Sequence, residues 1–274
     1  MLELKNVTYT YSPKTPFEKT AVDGVDLLVA EGETLGIIGH TGSGKSTLIQ
    51  LMNGLLQPSE GEVLFRGEKR AKVNTEIGMV FQYPENQIFE ETVRAEIAFG
   101  PKNMGISGEE LEARVLEAAD LMQIPLEQLE QSPHFLSGGQ KRRVAIASIL
   151  AMKPKVLIFD EPIAGLDPHA KNHLLEIIAK IKATIIFVSH SMEDVARICS
   201  RVIVMNDSKI AISGTPSEVF EREEELVAMG LDIPEIAQLM NRLGHKRCWT
   251  VNQAIEVLRW SKAKSQRELV GSTT

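Results

Sequence analysis

The segment Gly39-His-Thr-Gly-Ser-Gly-Lys-Ser46 has the spacing G-x-x-x-x-G-K-[ST] of a phosphate-binding loop. Its glycines let backbone N–H groups turn towards phosphate oxygens, and the N-terminus of a following helix attracts the same charge. Lys45 can reach the β- and γ-phosphates of a nucleotide, and Ser46 offers a hydroxyl to Mg²⁺. The predicted nucleotide-binding residues of this segment are Gly39, His40, Thr41, Gly42, Ser43, Gly44, Lys45, Ser46 and Thr47.

A pair of acids, Asp160 and Glu161, follows the apolar run Val156–Phe159. An acid at the carboxyl end of a parallel strand lies near the phosphate loop, because ligands bind at that edge of such sheets. We therefore predict that Asp160 holds Mg²⁺ and that Glu161 polarises the attacking water. The alternative is a solvated acidic pair that merely ends a strand, which the nearby phosphate loop disfavours.

A second glycine-rich segment, Leu136-Ser-Gly-Gly-Gln140, precedes a helical pattern from Lys141 to Ala151. Ser137 can cap this helix, and the paired glycines expose its N–H groups. The chain thus carries two anion-binding helix starts. Either it binds two anions, or the second start completes the site of another subunit. The residues that this second start contributes are Ser137, Gly138, Gly139 and Gln140.

Three other side chains are candidates for the same pocket. Gln82 follows one predicted strand as a neutral ligand, and His190 follows the apolar strand Thr184–Val188. Because these strands belong to one sheet, both residues point to its ligand-binding edge. Tyr11 is the first candidate for stacking on adenine and Tyr9 the second, although either ring can instead pack in the core.

The elements that must position these residues alternate between strands and helices, which predicts an α/β fold with a mainly parallel sheet. The predicted strands are Leu2–Val7, Val25–Ala30, Thr34–Ile38, Glu62–Phe65, Ile77–Phe81, Val156–Phe159 and Thr184–Val188, with helices at 46–53 and 170–181.

Two parts of the chain have a purely helical pattern. Between about residues 92 and 151, apolar side chains recur at helical spacing. They are Leu111, Val115, Ala118, Ala119 and Met122. After Glu221 the strand pattern ends, and short amphipathic helices are predicted at Pro234–Met240 and Val251–Trp260, followed by an irregular tail at 265–274.

Taken in order, these motifs resemble those of the nucleotide-binding domain of ABC ATPases, over about residues 1–220. The resemblance implies a P-loop ABC ATPase core, a helical signature subdomain at about 92–151 and a small C-terminal helical domain at 221–274. It also implies the cofactors ATP and Mg²⁺. In that family, the phosphate loop of one chain and the signature of another, here Leu136–Gln140, enclose ATP in a head-to-tail dimer.

The same resemblance assigns roles to individual residues. Gln82 is the Q-loop residue and a Mg²⁺ ligand together with Ser46 and Asp160. Gly165-Leu-Asp167 is the D-loop, whose Asp167 belongs to the nucleotide site, and His190 acts on the γ-phosphate. The implied catalytic residues are Glu161, His190, Lys45 and Gln82. One departure is Ile163, where the family often has Thr or Ser, and it puts in doubt only the fine tuning of the dimer interface.

A narrower resemblance lies in Phe81–Val93 and Ala98–Gly105, which look like the ATPase subunits of energy-coupling factor transporters for vitamins, cobalt or nickel. The run Pro-Glu-Asn-Gln-Ile-Phe-Glu-Glu-Thr resembles the second of their two ATPase types. The implied partners are a second ABC ATPase subunit (identical or related), a transmembrane coupling subunit and a substrate-binding membrane subunit that would select the cargo. The chain would be peripheral, at the cytoplasmic face of the cell membrane, with residues 221–274 helping to hold the dimer together.

The stretch from Gln82 to Phe99 is rich in acids. It carries Glu85, Glu90, Glu91 and Glu96 against Arg94. We hypothesise an acidic, partly apolar groove that receives arginine-bearing helices of the transmembrane subunit, as the resemblance implies. The alternative is a solvated acidic face.

The composition disfavours other classes of protein. A net charge of −7 argues against a nucleic-acid partner, because phosphate neutralisation needs a basic surface. The N-terminus lacks the pattern of a signal peptide, and the longest uncharged run, Ser46–Ser59, contains Gln, Asn, Gly and Pro. A spanning helix needs roughly 20 mostly apolar residues, so no transmembrane segment is predicted.

Three other functions compete with the transporter ATPase. A conventional ABC transporter ATPase is disfavoured by the run after Gln82. A non-transport ABC ATPase that acts on DNA or the ribosome is disfavoured by the acidic net charge and the single nucleotide domain. A scaffold that binds nucleotide without hydrolysing it is disfavoured by the intact Glu161 and His190.

Overall fold

The computed structural model describes residues 1–69, 74–245 and 248–260, so the predicted tail at 265–274 lies outside the described residues. The strands are β1 (Leu2–Tyr11), β2 (Lys19–Val29), β3 (Thr34–Ile38), β4 (Glu60–Phe65), β5 (Glu68–Lys69), β6 (Ile77–Val80), β7 (Val156–Asp160), β8 (Thr184–Val188), β9 (Arg201–Asn206) and β10 (Lys209–Gly214). The helices are α1 (Lys45–Asn53), α2 (Val93–Asn103), α3 (Gly108–Leu121), α4 (Gly138–Leu150), α5 (Pro168–Ile178), α6 (Met192–Ile198), α7 (Pro216–Phe220), α8 (Glu223–Ala228) and α9 (Glu235–Arg242), and residues 251–260 are also helical.

A six-stranded sheet in the order β10-β9-β3-β8-β7-β6 forms the centre of the α/β fold, as the alternation of elements predicts. Strands β9, β3, β8, β7 and β6 are parallel, and β10 adds to one edge in the antiparallel direction. All five residues of β8 are buried, which matches its continuous apolar sequence. The carboxyl ends of the parallel strands therefore meet at one edge of the sheet.

A second sheet, in the order β2-β1-β4-β5, is antiparallel. The expectation of a mainly parallel sheet was therefore incomplete, because three of the predicted strands belong here. Their sequences carry the physical reason. Leu2 and Leu4 are buried while Glu3 and Lys5 are not, and an antiparallel sheet tolerates water on one face.

Three helices, α2, α3 and α4, lie within the predicted helical segment 92–151. Of the apolar residues expected on one helical face, Val115, Ala118, Ala119 and Met122 are at most 3% exposed, and Leu111 is partly buried against the same core. They belong to the same apolar cluster as Phe159 and Phe187 of the central sheet. The helices and the sheet therefore share one core.

The C-terminal segment also packs on that core. Leu226, Leu231 and Ile233 join the same cluster, and the Phe220 and Trp249 rings lie 5.8 Å apart between centroids. The predicted helices are present at α9 and at residues 251–260. Across the described ranges, no helix has the length and apolar character needed to cross a bilayer.

Candidate functional site

The phosphate-binding pattern lies between β3 and α1, where its strand–loop–helix context requires it. Gly44 caps α1 with a φ of 105°, a conformation that an L side chain rarely adopts. A Cβ atom at Gly44 would also overlap the carbonyl oxygen of Ala21, and one at Gly39 would overlap that of Met205. Both glycines are therefore required by close backbone approach, from β2 on one side and β9 on the other.

The side chain of Lys45 is hydrogen-bonded to the backbone of this loop. Its Nζ atom donates to the carbonyl oxygens of Gly39 at 2.7 Å and His40 at 3.0 Å. Burial lowers the pKa of Lys45, although the nearby carboxylates of Glu161 and Asp160 oppose that shift. The lysine is thus held beside both acids, in a position from which it can turn to an incoming phosphate.

A cavity of about 240 Å³ opens beside the loop. Its lining residues are Tyr11, Lys19, Ala21, Gly42, Gly44, Lys45, Ser46 and Thr47. The hydroxyl groups of Tyr11 and Thr47 lie 3.2 Å apart, and the Tyr11 ring is partly exposed. Tyr9 instead packs edge-on against Tyr11 with ring centroids 4.8 Å apart. Of the two tyrosines, only Tyr11 lines this cavity. Lys19, which sequence reasoning missed, adds a cation here.

The two acids lie at the end of β7. Asp160 is its last residue and pairs in register with Val188, and the N–H of Glu161 donates to the Val188 carbonyl at 3.0 Å. Glu161 has a φ of 49°, an uncommon value for a residue with a side chain. Such strain is concentrated at functional sites, because the surrounding structure must hold it in place.

Glu161 is contacted from two other strand ends. Its Oε1 atom lies 2.7 Å from Nε2 of His190, and its Oε2 atom accepts from Nε2 of Gln82 at 3.4 Å. The three residues follow β7, β8 and β6, which are adjacent in the sheet. The structure thus brings together the side chains predicted from three separate motifs.

Asp160 is in an unusual electrostatic environment. Burial raises the pKa of its carboxyl group, and the charge of Glu161 raises it further, while Lys45 and His190 pull it down. Two carboxylates this close favour a cation between or beside them. This arrangement fits a divalent ion with oxygen ligands, such as Mg²⁺.

The signature segment begins α4 with a capping box. The Ser137 side chain accepts from the Gln140 N–H, and the Gln140 side chain accepts from the Ser137 N–H. Asp167 caps α5 without a capping box, through its side chain, which accepts from the N–H groups of His169 and Ala170. These backbone hydrogen bonds lower the pKa of Asp167.

A cavity of about 460 Å³ brings the signature and Asp167 together. It is lined by Ser137, Gly138, Gly139, Gln140 and Asp167, and also by Glu85, Arg142, Arg143, Gly165, Leu166, His169, Ala170, His173 and Leu174. It shares no residue with the cavity beside the phosphate loop. One chain therefore presents the two predicted anion sites on separate surfaces.

Comparison with known proteins places these motifs in context. The ABC transporter family model matches residues 22–164. A protein of Caldanaerobacter subterraneus subsp. tengcongensis, named energy-coupling factor transporter ATP-binding protein EcfA2, is 50% identical over 253 residues, which cover 88% of each chain. A protein of the same name from Clostridium perfringens is 46% identical and covers 94% of this chain and 96% of its own.

Solved structures resemble the fold as well. The cbiO1 protein of Clostridium perfringens, described as part of the ABC transporter complex cbiONQ, superposes with a TM-score of 0.74 at 36% identity, covering 88% of this chain and 98% of its own. A dimeric structure of MJ0796, a bacterial ABC transporter cassette, gives a TM-score of 0.69 at 31% identity and covers 79% of this chain and 99% of its own.

Proposed function

The chain belongs to the ABC transporter family, and from that premise we propose that it is the ATP-hydrolysing subunit of an importer of the energy-coupling factor type. The single observation that carries the hydrolytic assignment is the contact of Glu161 with both His190 and Gln82. A carboxylate fixed at both oxygens, beside a phosphate loop, suits a group that must orient one water molecule. The importer type follows from the relatives named above.

Different residues of this chain have different roles in ATP hydrolysis. The loop N–H groups and Lys45 bind the phosphates and offset charge that develops as the γ-phosphoryl group leaves. Glu161 orients water and accepts its proton. His190 holds Glu161 through Nε2 in the nucleotide-free chain and would turn to donate to the γ-phosphate when ATP binds. The Tyr11 ring, which lines the cavity beside the phosphate loop, is proposed to stack on adenine.

Mg²⁺ is the metal that the donor set fits. The Ser46 hydroxyl, the Asp160 carboxylate and the Gln82 amide would hold it, all of them oxygen ligands. When bound, the ion would supply charge neutralisation at the β- and γ-phosphates. The raised pKa of Asp160 supports this role, since a carboxylate that is costly to bury becomes favourable beside a cation.

We further propose that two chains, identical or related, assemble head to tail. Support comes from the separation of the two cavities, because a signature site with a capped helix start but no phosphate loop is half of a nucleotide site. The signature residues and Asp167 of one chain would face the phosphate loop of the other.

The C-terminal segment, residues 221–274, is proposed to add a second dimer contact. Its described part exposes apolar side chains that a core would normally cover. Leu239 of α9 and Leu243, which caps its C-terminus, are more than half exposed, and Val251 and Leu258 are nearly so. Leu239→Asp with Leu243→Asp should weaken self-association in sedimentation experiments, and unchanged association would remove this segment from the interface.

The membrane partner would dock on a surface that we define by Tyr83, Phe89, Glu90, Glu91 and Phe99. Phe89 and Phe99 form an exposed edge-to-face pair with ring centroids 4.8 Å apart. The other two acids of the hypothesised groove are already engaged within the chain. Glu96 is buried and accepts from the N–H groups of Phe89 and Glu90, and Glu85 pairs with Arg142. Glu90 and Glu91 are therefore the acids of this surface that would pair with arginines of a transmembrane coupling subunit. Such pairing would keep the chain at the cytoplasmic face of the membrane.

One experiment tests the proposal as a whole. The purified chain, assembled in vesicles with a second ATPase subunit (identical or related), its transmembrane coupling subunit and a substrate-binding subunit, should release phosphate from ATP only with Mg²⁺ and should drive uptake of the cargo. Phosphate release without uptake would leave an ABC ATPase but reject this importer type. No release in the complete complex would reject the hydrolytic function.

A further inference from the structure

Arg142 is a charged side chain in the core of the protein. It lies in the second turn of α4, shortly after the signature, and is only 2% exposed. A buried guanidinium is costly unless its N–H groups are satisfied, so its partners are informative. Sequence reasoning did not single it out, because a Lys-Arg-Arg run is typical of a solvated face.

Four acceptors surround this guanidinium. The Glu85 carboxylate takes two hydrogen bonds, from Nη2 at 2.6 Å and from Nε at 2.9 Å. Nη1 donates to the carbonyl oxygens of Pro162 at 3.0 Å and Ala164 at 2.7 Å. The paired carboxylate geometry is bidentate, which fixes orientation as well as distance.

These acceptors belong to two segments that carry catalytic side chains. Glu85 lies in the 3₁₀ turn Pro84–Gln87, directly after Gln82, and the Arg142 guanidinium also lies 5.8 Å from the Tyr83 ring centre. Pro162 and Ala164 follow Glu161, which holds its uncommon φ of 49°. Arg142 lies on α4, which we call the signature helix. It is hydrogen-bonded to residues 82–87, the Gln82 segment, and to residues 161–164, the Glu161 turn.

The ion pair between Arg142 and Glu85 can hold the signature helix and the Gln82 segment together. Burial on its own would raise the pKa of Glu85, but hydrogen bonds and the charge from Arg142 outweigh it and lower that pKa below its usual range. The carboxylate therefore stays charged with Arg142. Movement of the signature helix away from the sheet would leave both charges poorly solvated, so the three segments resist separation.

We propose that Arg142 is a positioning residue for ATP hydrolysis, one that makes the signature helix, the Gln82 segment and the Glu161 turn move as one unit. This rests on the proposed ATPase function. The consequence is that the helical segment sets the angle of Glu161 in its own chain while it places the signature for the neighbouring chain. Arg142 acts through these partners, because its guanidinium donates to Glu85, Pro162 and Ala164.

The first test compares steady-state ATP hydrolysis and nucleotide affinity in Arg142→Gln, Glu85→Gln and the control Arg94→Gln. Arg94 also forms ion pairs within the chain, with Glu112 and Glu130, but on the helical surface. We expect kcat to fall about tenfold in Arg142→Gln, with ATP affinity within about twofold, because the phosphate loop is untouched. Arg142→Lys should recover little, since one ammonium cannot serve all four acceptors.

The outcomes separate this inference from the function on which it rests. An inactive wild-type complex would reject the ATPase function itself. An active wild type with unchanged kcat in both Arg142→Gln and Glu85→Gln would overturn the role of Arg142. Glu85→Gln keeps one acceptor oxygen and replaces the other with an amide NH₂ donor, so it breaks the bidentate pair while Arg142 stays in place. It therefore tests the link even if Arg142→Gln fails to fold.

A second test locates the effect within the dimer. In a mixed dimer, Lys45→Ala in one chain leaves a single working phosphate loop. Arg142→Gln is then placed either in the chain with that loop or in the chain that supplies its signature. We expect slower hydrolysis in both arrangements, because Arg142 supports Glu161 in one chain and the signature in the other. A loss confined to one arrangement would overturn the coupling.

Discussion

Nε2 of His190 lies 2.7 Å from Oε1 of Glu161, so two side chains that the sequence separates share one contact at the edge of the sheet. The other oxygen of Glu161 faces Gln82. Both contacts come from residues at the ends of strands that neighbour β7, so they fix the direction of the carboxylate. A general base must be held within reach of the proton that it accepts.

Glu161→Gln is expected to keep ATP binding and lose hydrolysis. The amide preserves shape and can still contact His190 and Gln82, but it cannot accept a proton from water. General-base catalysis is typically worth about 100-fold or more, so phosphate release should fall by at least that factor. Titration calorimetry should give wild-type affinity for ATP. Glu31→Gln, at an exposed acid, serves as the control, and near wild-type turnover in Glu161→Gln would remove Glu161 from catalysis.

Asp160→Asn should make the nucleotide-free chain more stable at neutral pH. The folded-state pKa of Asp160 is raised, so its stabilising contribution is present at low pH and is lost as pH rises through that value. Asparagine stays neutral throughout. The midpoint of thermal unfolding should therefore exceed that of wild type by a few degrees at pH 7, with the gap closing in acid.

Added Mg²⁺ and ATP should reverse this order, because wild type gains binding energy that Asp160→Asn lacks. Asp232→Asn, at an exposed position, provides the comparison and should match wild type in both conditions. A variant at position 160 that is less stable than wild type without nucleotide would contradict the burial argument.

Ser137→Asp tests the head-to-tail arrangement while preserving the helix cap, since aspartate also caps α4 well. Its negative charge would repel the phosphate of a nucleotide bound to the neighbouring chain. ATP binding should persist and hydrolysis should be lost. Mixing with Lys45→Ala chains should restore part of the activity, because each mixed dimer contains one intact composite site. Ser107→Asp, at the start of α3, should behave as wild type.

Recovery in the mixture is the decisive result for this arrangement. Full hydrolysis by Ser137→Asp alone, or inactivity of the mixture despite dimer formation, would show that the signature does not serve a neighbour.

Glu90→Lys with Glu91→Lys should abolish co-purification with the transmembrane coupling subunit while leaving phosphate release by the isolated chain unchanged. The expected reason is repulsion of arginines that pair with these acids, a type of loss that costs a few kcal/mol for partly buried pairs. Glu31→Lys with Glu60→Lys reverses the same amount of charge at exposed acids outside residues 221–274. Complex assembly by the Glu90 and Glu91 variant would return this stretch to a solvated face.

The positions of the strand ends could be predicted from sequence because they depend on short runs of consecutive residues. A continuous apolar run such as Val156–Phe159 predicts a buried parallel strand, and the polar residue after it must then lie at the ligand-binding edge. Three such runs predict that Glu161, His190 and Gln82 lie at the same edge of the sheet.

Other features depend on distant residues and left no local pattern. Arg142 and Glu85 are 57 positions apart, and neither residue type predicts burial. The hairpin of β9 and β10 was also missed. Its turn residues Asp207 and Ser208 both have positive φ, but neither is the glycine that marks most such turns.

The close approach of Met205 to Gly39 has a consequence for the order in which the protein becomes functional during its synthesis. The phosphate loop is made early, but the strand that borders it, β9, leaves the ribosome only after about three quarters of the chain. A nascent chain that ends at α6 has every loop residue and lacks one of the two backbone segments that shape the loop. We therefore expect nucleotide capture to appear abruptly, once β9 has inserted beside β3.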